Sequence, residues 1–274
     1  MTQNGMIPFV SVKLIIEKKR CLKLLEVYAA MHNNLLTSTN HREFDLPNGP
    51  WVMTQTWENI LFLHWPVSKQ ALKEYIPHGL ELDTYNQEAW ISLIPFRVRR
   101  MRLRKLPRAP YFHTFLELNV RTYVKCRGIK GVYFFSLDAS KVHAVLGARM
   151  ATLPYFYANM RMKKDQHTFT FESQRFGSHA AFKASYQPTG EAFYPETNSL
   201  NYWLAERYFL WTKKQHRLYQ VGIHHQPWKM QQAQVHVEQP MLPNFLSNDV
   251  LNRAPLATYT PAKVALFWMV QRIK

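Results

Sequence analysis

One hairpin constrains what this chain can become. Residues Phe115 to Val124, FLELNVRTYV, alternate as a strand does: Leu116, Leu118, Val120, Thr122 and Val124 share one face, and Phe115, Glu117, Asn119, Arg121 and Tyr123 share the other. The turn CRGIKG follows at once, so the next strand, VYFFSLD (132–138), is its antiparallel partner. That partner is apolar or aromatic on both faces over its first four residues, the pattern of a strand buried on both sides. A strand paired with it is not expected to have one face in bulk water. The Glu117–Asn119–Arg121 row therefore points to a closed or half-closed interior, as a self-satisfied polar network or as the lining of a pocket. A buried carboxylate and guanidinium are costly unless paired. Four strand residues separate Glu117 from Arg121, roughly 13 Å, and Asn119 sits between them to bridge.

The rest of the chain from Trp57 reads as short strands with few helices. NILFLHW, AWISLIPF, YFYANMRM, HTFTFES, AAFKASY, YFLWT, RLYQVGI and AQVHVE are strands separated by polar turns. LELDTY and AWISLIPF form a hairpin about Asn86–Gln87–Glu88. Ser68 caps a helix over KQALKEYI, Ser140 one over KVHAVLGARM, and a further helix covers SLNYWLAERY. The expected class is α+β, a mostly antiparallel β-barrel with a few flanking helices. Residues 1–52 differ from this pattern. They hold one amphipathic helix over VKLIIEKKRCLKLLEVYAAMH and a turn-rich linker, so they are expected to be an extension, with a single domain over 53–274.

Composition excludes some classes of function. Hydrophobic residues make up 47% of the 274, which argues for a packed core. No apolar run reaches the length of a membrane helix, and the first twenty residues lack a basic leader segment. Two cysteines, Cys21 and Cys126, give no disulfide framework, and the cytoplasm is the expected compartment. The net charge of +17 and the cluster FRVRRMRLRKLPR, Phe96 to Arg108, raise an alternative: a basic protein that binds nucleic acid or an acidic partner. Against it, no Gly-rich phosphate loop, zinc spacing or RNA-binding aromatic motif is present. His224 and His225 are adjacent, so a regular strand turns them to opposite faces and no shared metal is expected. No cofactor motif and no GxSxG nucleophile stands in the chain. Glu117, Asp138 and Glu206 are the carboxylates in apolar surroundings, where pKa values shift most.

At FLELNVRTYV, GVYFFSLDA, LPYFYANM, LAERYFLWT, RLYQVGIHHQPWKMQQAQV and WISLIPFRVR the chain resembles the YqjF-like family, bacterial proteins of unknown function. The resemblance runs from about Met53 almost to the C-terminus. That family is similar in fold to acetoacetate decarboxylase, a β-barrel around a small-molecule pocket, whose chemistry uses a lysine as Schiff-base nucleophile preceded by a glutamate. The resemblance sets Glu117 at the glutamate but puts Arg121 and Thr122 where lysine is expected, with Lys125 the nearest substitute. Arginine forms no imine, so conventional Schiff-base decarboxylation is not expected. What the resemblance implies is a small-molecule barrel, with lyase or hydrolase chemistry left open. In it Glu117, Asn119 and Arg121 meet a small carboxylate or keto-acid-like anion between walls of Tyr123, Tyr133, Phe135, His225 and Trp228.

Overall fold

The computed structural model describes residues 30–106, 114–142, 144–145, 153–240, 243, 246, 250 and 253–273. The chain divides into two compact units, one ending at His41 and one starting at Arg42. In the first, residues 30–37 are helical; most of the helix expected over 12–32 lies outside the described residues. Among the described residues no helix is long and apolar enough to cross a membrane.

The second unit is mostly sheet. Its strands are β1 (Met53–Val67), β2 (Glu81–Leu82), β3 (Ala89–Leu103), β4 (Phe115–Cys126), β5 (Ile129–Ala139), β6 (Tyr155–Asp165), β7 (Thr168–Arg175), β8 (Ala181–Phe193), β9 (Phe209–Lys214), β10 (Arg217–His224), β11 (Met230–Gln239), β12 (Leu256–Phe267) and β13 (Gln271–Arg272), with two short helices, α1 (Lys69–Lys73) and α2 (Leu200–Ala205). The pairings run β5–β6–β7–β8–β11–β12–β1–β3–β4 and then back to β5, so the ladder closes on itself. All are antiparallel except β5–β6 and β5–β9. A closed ladder leaves those nine strands no open edge to template aggregation.

Local chemistry accounts for the elements. Arg127 and Gly128 take φ of 51° and 81°, the two successive left-handed residues that a two-residue β4–β5 hairpin turn requires. Ser68 and Ser199 cap α1 and α2, their hydroxyls accepting from Ala71 N and Tyr202 N, each at 3.2 Å. Ser140 instead accepts from Leu116 N at 2.9 Å, closing the end of β4; the helix expected after it falls largely outside the described residues.

The central strands are buried on both faces. Ile60, Phe62, Ile94, Phe96, Tyr123, Phe134, Leu137 and Trp228 belong to one apolar cluster. Leu61, Leu63, Trp65, Ile91, Leu93, Leu118 and Val120 belong to a second, on the opposite face.

One expectation is corrected. β2 does not pair with β3: Asn86 and Gln87 make a tight turn at the Tyr85–Glu88 bridge, but Glu81 and Leu82 pair with Lys125 and Val124 of β4. Asp83 is the cause. Its N–H donates to Tyr123 O at 2.9 Å, and its buried carboxylate takes Lys125 at 2.9 Å and Arg207 at 2.6 Å, all on the β4 side. Residues before the expected boundary at 53 also contact the sheet unit. Arg42 donates to Ile223 O at 2.9 Å and stacks 4.3 Å over Tyr208, Trp268 Nε1 donates to Gly49 O at 2.8 Å, and Trp51 is buried. Residues 42–52 are thus a strap on the sheet unit.

Gly131 sits where β5 meets β9. A Cβ there would stand 2.3 Å from Phe209 O and 2.1 Å from Trp211 Cζ3, and the backbone oxygen cannot swing aside. Gly131→Ala is expected to cost about 3 kcal/mol, read as a lower denaturant midpoint. An unchanged midpoint would show that β9 is not seated on β5 as described.

Candidate functional site

The Arg121 face is assembled by register. β3 sets Phe96 beside Glu117, Ile94 beside Asn119 and Ser92 beside Arg121. β1 sets His64 beside Ser92, and β5 sets Leu137 beside Asn119 and Phe134 beside Arg121. Three polar groupings result. His64 Nδ1, Ser92 Oγ and Tyr123 OH form a buried triangle, with contacts of 2.6, 2.7 and 3.2 Å. Burial, helped by the charge of Arg121, holds the His64 pKa well below its usual value, so the ring is neutral.

Glu117 forms the second grouping. Tyr155 OH donates to its Oε2 at 2.9 Å and Asn119 also donates to it, yet burial outweighs both and lifts its pKa to about 7. The same burial and the carboxylate beside it push the Tyr155 phenol well up. A carboxyl with a pKa near neutrality can hold or release a proton at working pH.

The third grouping is a pair of guanidiniums near the Tyr123 ring, Arg207 at 5.1 Å and Arg121 at 5.7 Å. Arg207 is neutralised, donating to Asp83 at 2.6 Å and to Trp203 O at 2.7 Å. Arg121 is not. Its Nη2 reaches only Leu204 O at 3.5 Å, its Nε is buried without a partner, and among the described residues no carboxylate lies within ion-pairing distance. Arg121 keeps some exposure, although Asn119 and Tyr123 on either side of it are buried. The sheet explains how. β5 pairs with β9 at Val132 and Tyr133 and with β6 from Leu137 to Ala139, so its 134–136 segment has neither neighbour, and Arg121 lies directly across from Phe134.

The comparisons with known proteins agree with this frame. Residues 54–263 match the model of DUF2071, described as an uncharacterized conserved protein. The chain belongs to this family. A relative within it, the uncharacterized protein YqjF of Bacillus subtilis, is 42% identical over 233 residues, covering 84% of this chain and 96% of its own. Among solved structures the chain is similar to an acetoacetate decarboxylase-like enzyme from Sphingomonas wittichii, with a TM-score of 0.59 at 10% identity, over 82% of this chain and 94% of that one. It is also similar to acetoacetate decarboxylase from Legionella pneumophila, at 0.58 and 12%, over 88% and 94%. A third, the enduracididine biosynthesis enzyme MppR complexed with pyruvate, gives 0.55 and 11%, over 85% and 93%. At such identities the likeness is one of fold.

In this DUF2071 protein the residues expected from sequence do not all meet. Glu117, Asn119, Arg121 and Tyr123 share one face, and Trp228 joins them through Phe62, whose ring lies 5.0 Å away edge-on. His225 stands one ring further back, between Tyr208 and Trp228 at 4.7 and 4.9 Å. Tyr133 and Phe135 are on the opposite face: Tyr133 pairs with Thr122, and Phe135 is extruded by a bulge between Val120–Ser136 and Arg121–Phe134. Lys125 is held by Asp83, Asp138 by Arg175 at 2.7 Å, and Glu206 accepts from Tyr208 OH and from Trp228 N. His224 meets Arg42 while His225 turns to Gln226 O. Arg99 and Arg100 of the basic cluster are exposed, with Arg99 3.4 Å from Glu58; Arg108 lies outside the described residues.

The sequence reading missed His64, Ser92 and Tyr155. His64 had a signal, since Ile60, Phe62 and His64 alternate on one face of NILFLHW. It also missed Lys263, whose amine donates to Pro227 O at 2.6 Å beside the Trp228 ring and whose pKa burial lowers to about 8.

Glu117 gives the site a pH signature. Folded, its carboxyl keeps the proton to about pH 7; unfolded, it loses it near 4.5. Between those values rising pH draws protons from the unfolded state first, so native stability falls, by on the order of 3 kcal/mol in all. His64 acts in the opposite sense: it is neutral when folded, so stability is lost as pH drops through 6.5. Subtracting the wild-type profile from that of Glu117→Gln isolates the carboxyl. The variant should gain on wild type from pH 5 to 8; a flat difference would mean that Glu117 is ionised throughout.

Proposed function

We propose that the Arg121 face is the inside of a β-barrel that binds a small carboxylate, with Arg121 as its anchor. One observation carries the reading: a guanidinium on a doubly paired strand, between buried neighbours, that reaches solvent and faces no carboxylate among the described residues. A buried or half-buried charge is normally paired, and a planar guanidinium suits a carboxylate by two parallel hydrogen bonds. The closed run of strand pairings and the acetoacetate decarboxylase-like fold support an enclosed interior, and MppR with pyruvate is a relative in fold that takes a small keto acid.

Turnover of the ligand is part of the same proposal. Glu117 would give or take a proton next to the anchored molecule, with Tyr155 and Asn119 holding its carboxyl in place. The neutral triangle of His64, Ser92 and Tyr123 would form the floor. Imine chemistry from β4 is not part of the reading, because that strand offers Arg121 and Thr122 at the positions concerned.

A thermal-shift series of small carboxylates and keto acids on wild type, Arg121→Lys and Arg121→Met tests the anchor. Wild type should be stabilised by at least one member, Arg121→Lys less so, and Arg121→Met by none. Without ligand Arg121→Met should stay within about 1 kcal/mol of wild type, or exceed it, since no ion pair is broken. A severe loss of stability in Arg121→Met together with no response of wild type to any anion would make the polar row architecture.

A further inference from the structure

We propose that the molecule held on the Arg121 face is a hydroxy monocarboxylic acid: its carboxylate meets Arg121 and its hydroxyl donates to Asn119 Oδ1. This rests on the anion-binding reading above and narrows it.

Asn119 supplies the first observation. Its amide lies close to Glu117, and the atom left over is its carbonyl oxygen, Oδ1. That oxygen is buried and accepts from nothing, and the residue is only 7% exposed. Nearby donors are spent elsewhere. Tyr155 OH goes to Glu117, Tyr123 OH belongs to the triangle with Ser92 and His64, and the Arg121 Nη2 is aimed at Leu204 O. Buried acceptors without partners are uncommon in native proteins and call for a donor. Arg121 Nε, an unpartnered donor, is two residues along on the same strand face, roughly 7 Å between Cα atoms. The long arginine and the short asparagine can therefore converge on one small molecule, which must offer an anionic acceptor at one point and a hydroxyl one or two carbons away. A simple carboxylic acid lacks the donor. A keto acid brings a second acceptor to Asn119, oxygen against oxygen.

Charge supplies the second. Of the two guanidiniums beside Tyr123, Arg207 is paired with Asp83 at 2.6 Å, a carboxylate that the more exposed Lys125 also meets at 2.9 Å. Lys263 lies in the field of Glu206. Arg121 is left as one positive charge, which balances one carboxylate and no more. The remaining wall, from Phe62, Ile94, Phe96, Phe134 and Leu137, is apolar, so a second charge on the ligand would be buried against those residues without a partner. A dicarboxylate is disfavoured for that reason, and an apolar or aromatic remainder is favoured.

Calorimetric titration of the full chain with two matched sets tests this: 3-phenyllactate, 3-phenylpropanoate and phenylpyruvate, and lactate, propanoate and pyruvate, with malate as the dianion. In at least one set the hydroxy acid should bind wild type about ten-fold or more tighter than the acid lacking the hydroxyl, because a site built for a donor rejects the analogue without one. The keto acid and malate should be weaker than the hydroxy acid. Asn119→Leu should bring hydroxy and simple acid to equal affinity while both still bind, and Arg121→Met should lose both. The wild-type ranking stands as a test even if Asn119→Leu folds poorly. Equal affinities, or a preference for the keto acid or malate, overturn the hydroxy-acid assignment and leave the Arg121 anchor intact. Failure of wild type to bind any of the seven overturns both.

Discussion

β4 is hydrogen-bonded to a neighbour on each side and packed on both faces, and the rest of the structure answers to that. A strand so placed gives its polar side chains no route to bulk water except where a neighbour is interrupted. Every polar group on it must then find a partner inside. Glu117 is met by Tyr155, Thr122 by Trp90 O at 2.7 Å, and Tyr123 by Ser92 and His64. These partners come from β1, β3 and β6, so the polar demands of one strand select which distant strands surround it. Where the demands are not met, at Asn119 Oδ1 and Arg121 Nε, the chemistry is left over for something else.

The interior holds less charge than its composition suggests. Glu117 keeps its proton to about pH 7, His64 is neutral, and Arg207 and Asp83 cancel. The formal charge of the chain is +17, and among the described residues Arg99, Arg100 and Arg104 stand in solvent. Net charge therefore says little about the site proposed around the guanidinium of Arg121. The fold is shared with acetoacetate decarboxylases, but a common frame does not by itself carry a common reaction.

Local signals in the sequence located local structure well. The cap at Ser68 and the Arg127–Gly128 turn follow from side-chain hydrogen bonding and backbone sterics within a few residues. The inward row on β4 was legible too, because alternation and a short turn are enough to argue burial. Tyr133 and Phe135 were assigned to the wrong face for a reason the turn itself contains. Two residues between Cys126 and Ile129 set odd positions of β4 against even positions of β5, so Tyr123 faces with Val132, and Arg121 with Phe134. The bulge at Phe135 then changes parity again, and no residue type there announces it. His64 and Ser92 are 28 residues apart and lie on different strands, a relation set by sheet register rather than by spacing along the chain. The strap from Arg42 was hidden because its turn-rich composition reads as linker, while its contacts are with Ile223 and Tyr208 far downstream.

The fork in β5 has a mechanical meaning. Its first half is held by β9, its second half by β6, and the three residues between belong to neither. The β6–β8 strands and the β9–β10 strands thus grip the same strand at different points, with no ladder between them there. Local opening in folded proteins follows contiguous cooperative units, and here the border between two such units runs past Arg121. Ladder hydrogen bonds from β6 and β9 are missing at that border, so Arg121 lies beside the stretch of β5 that those two strands hold least.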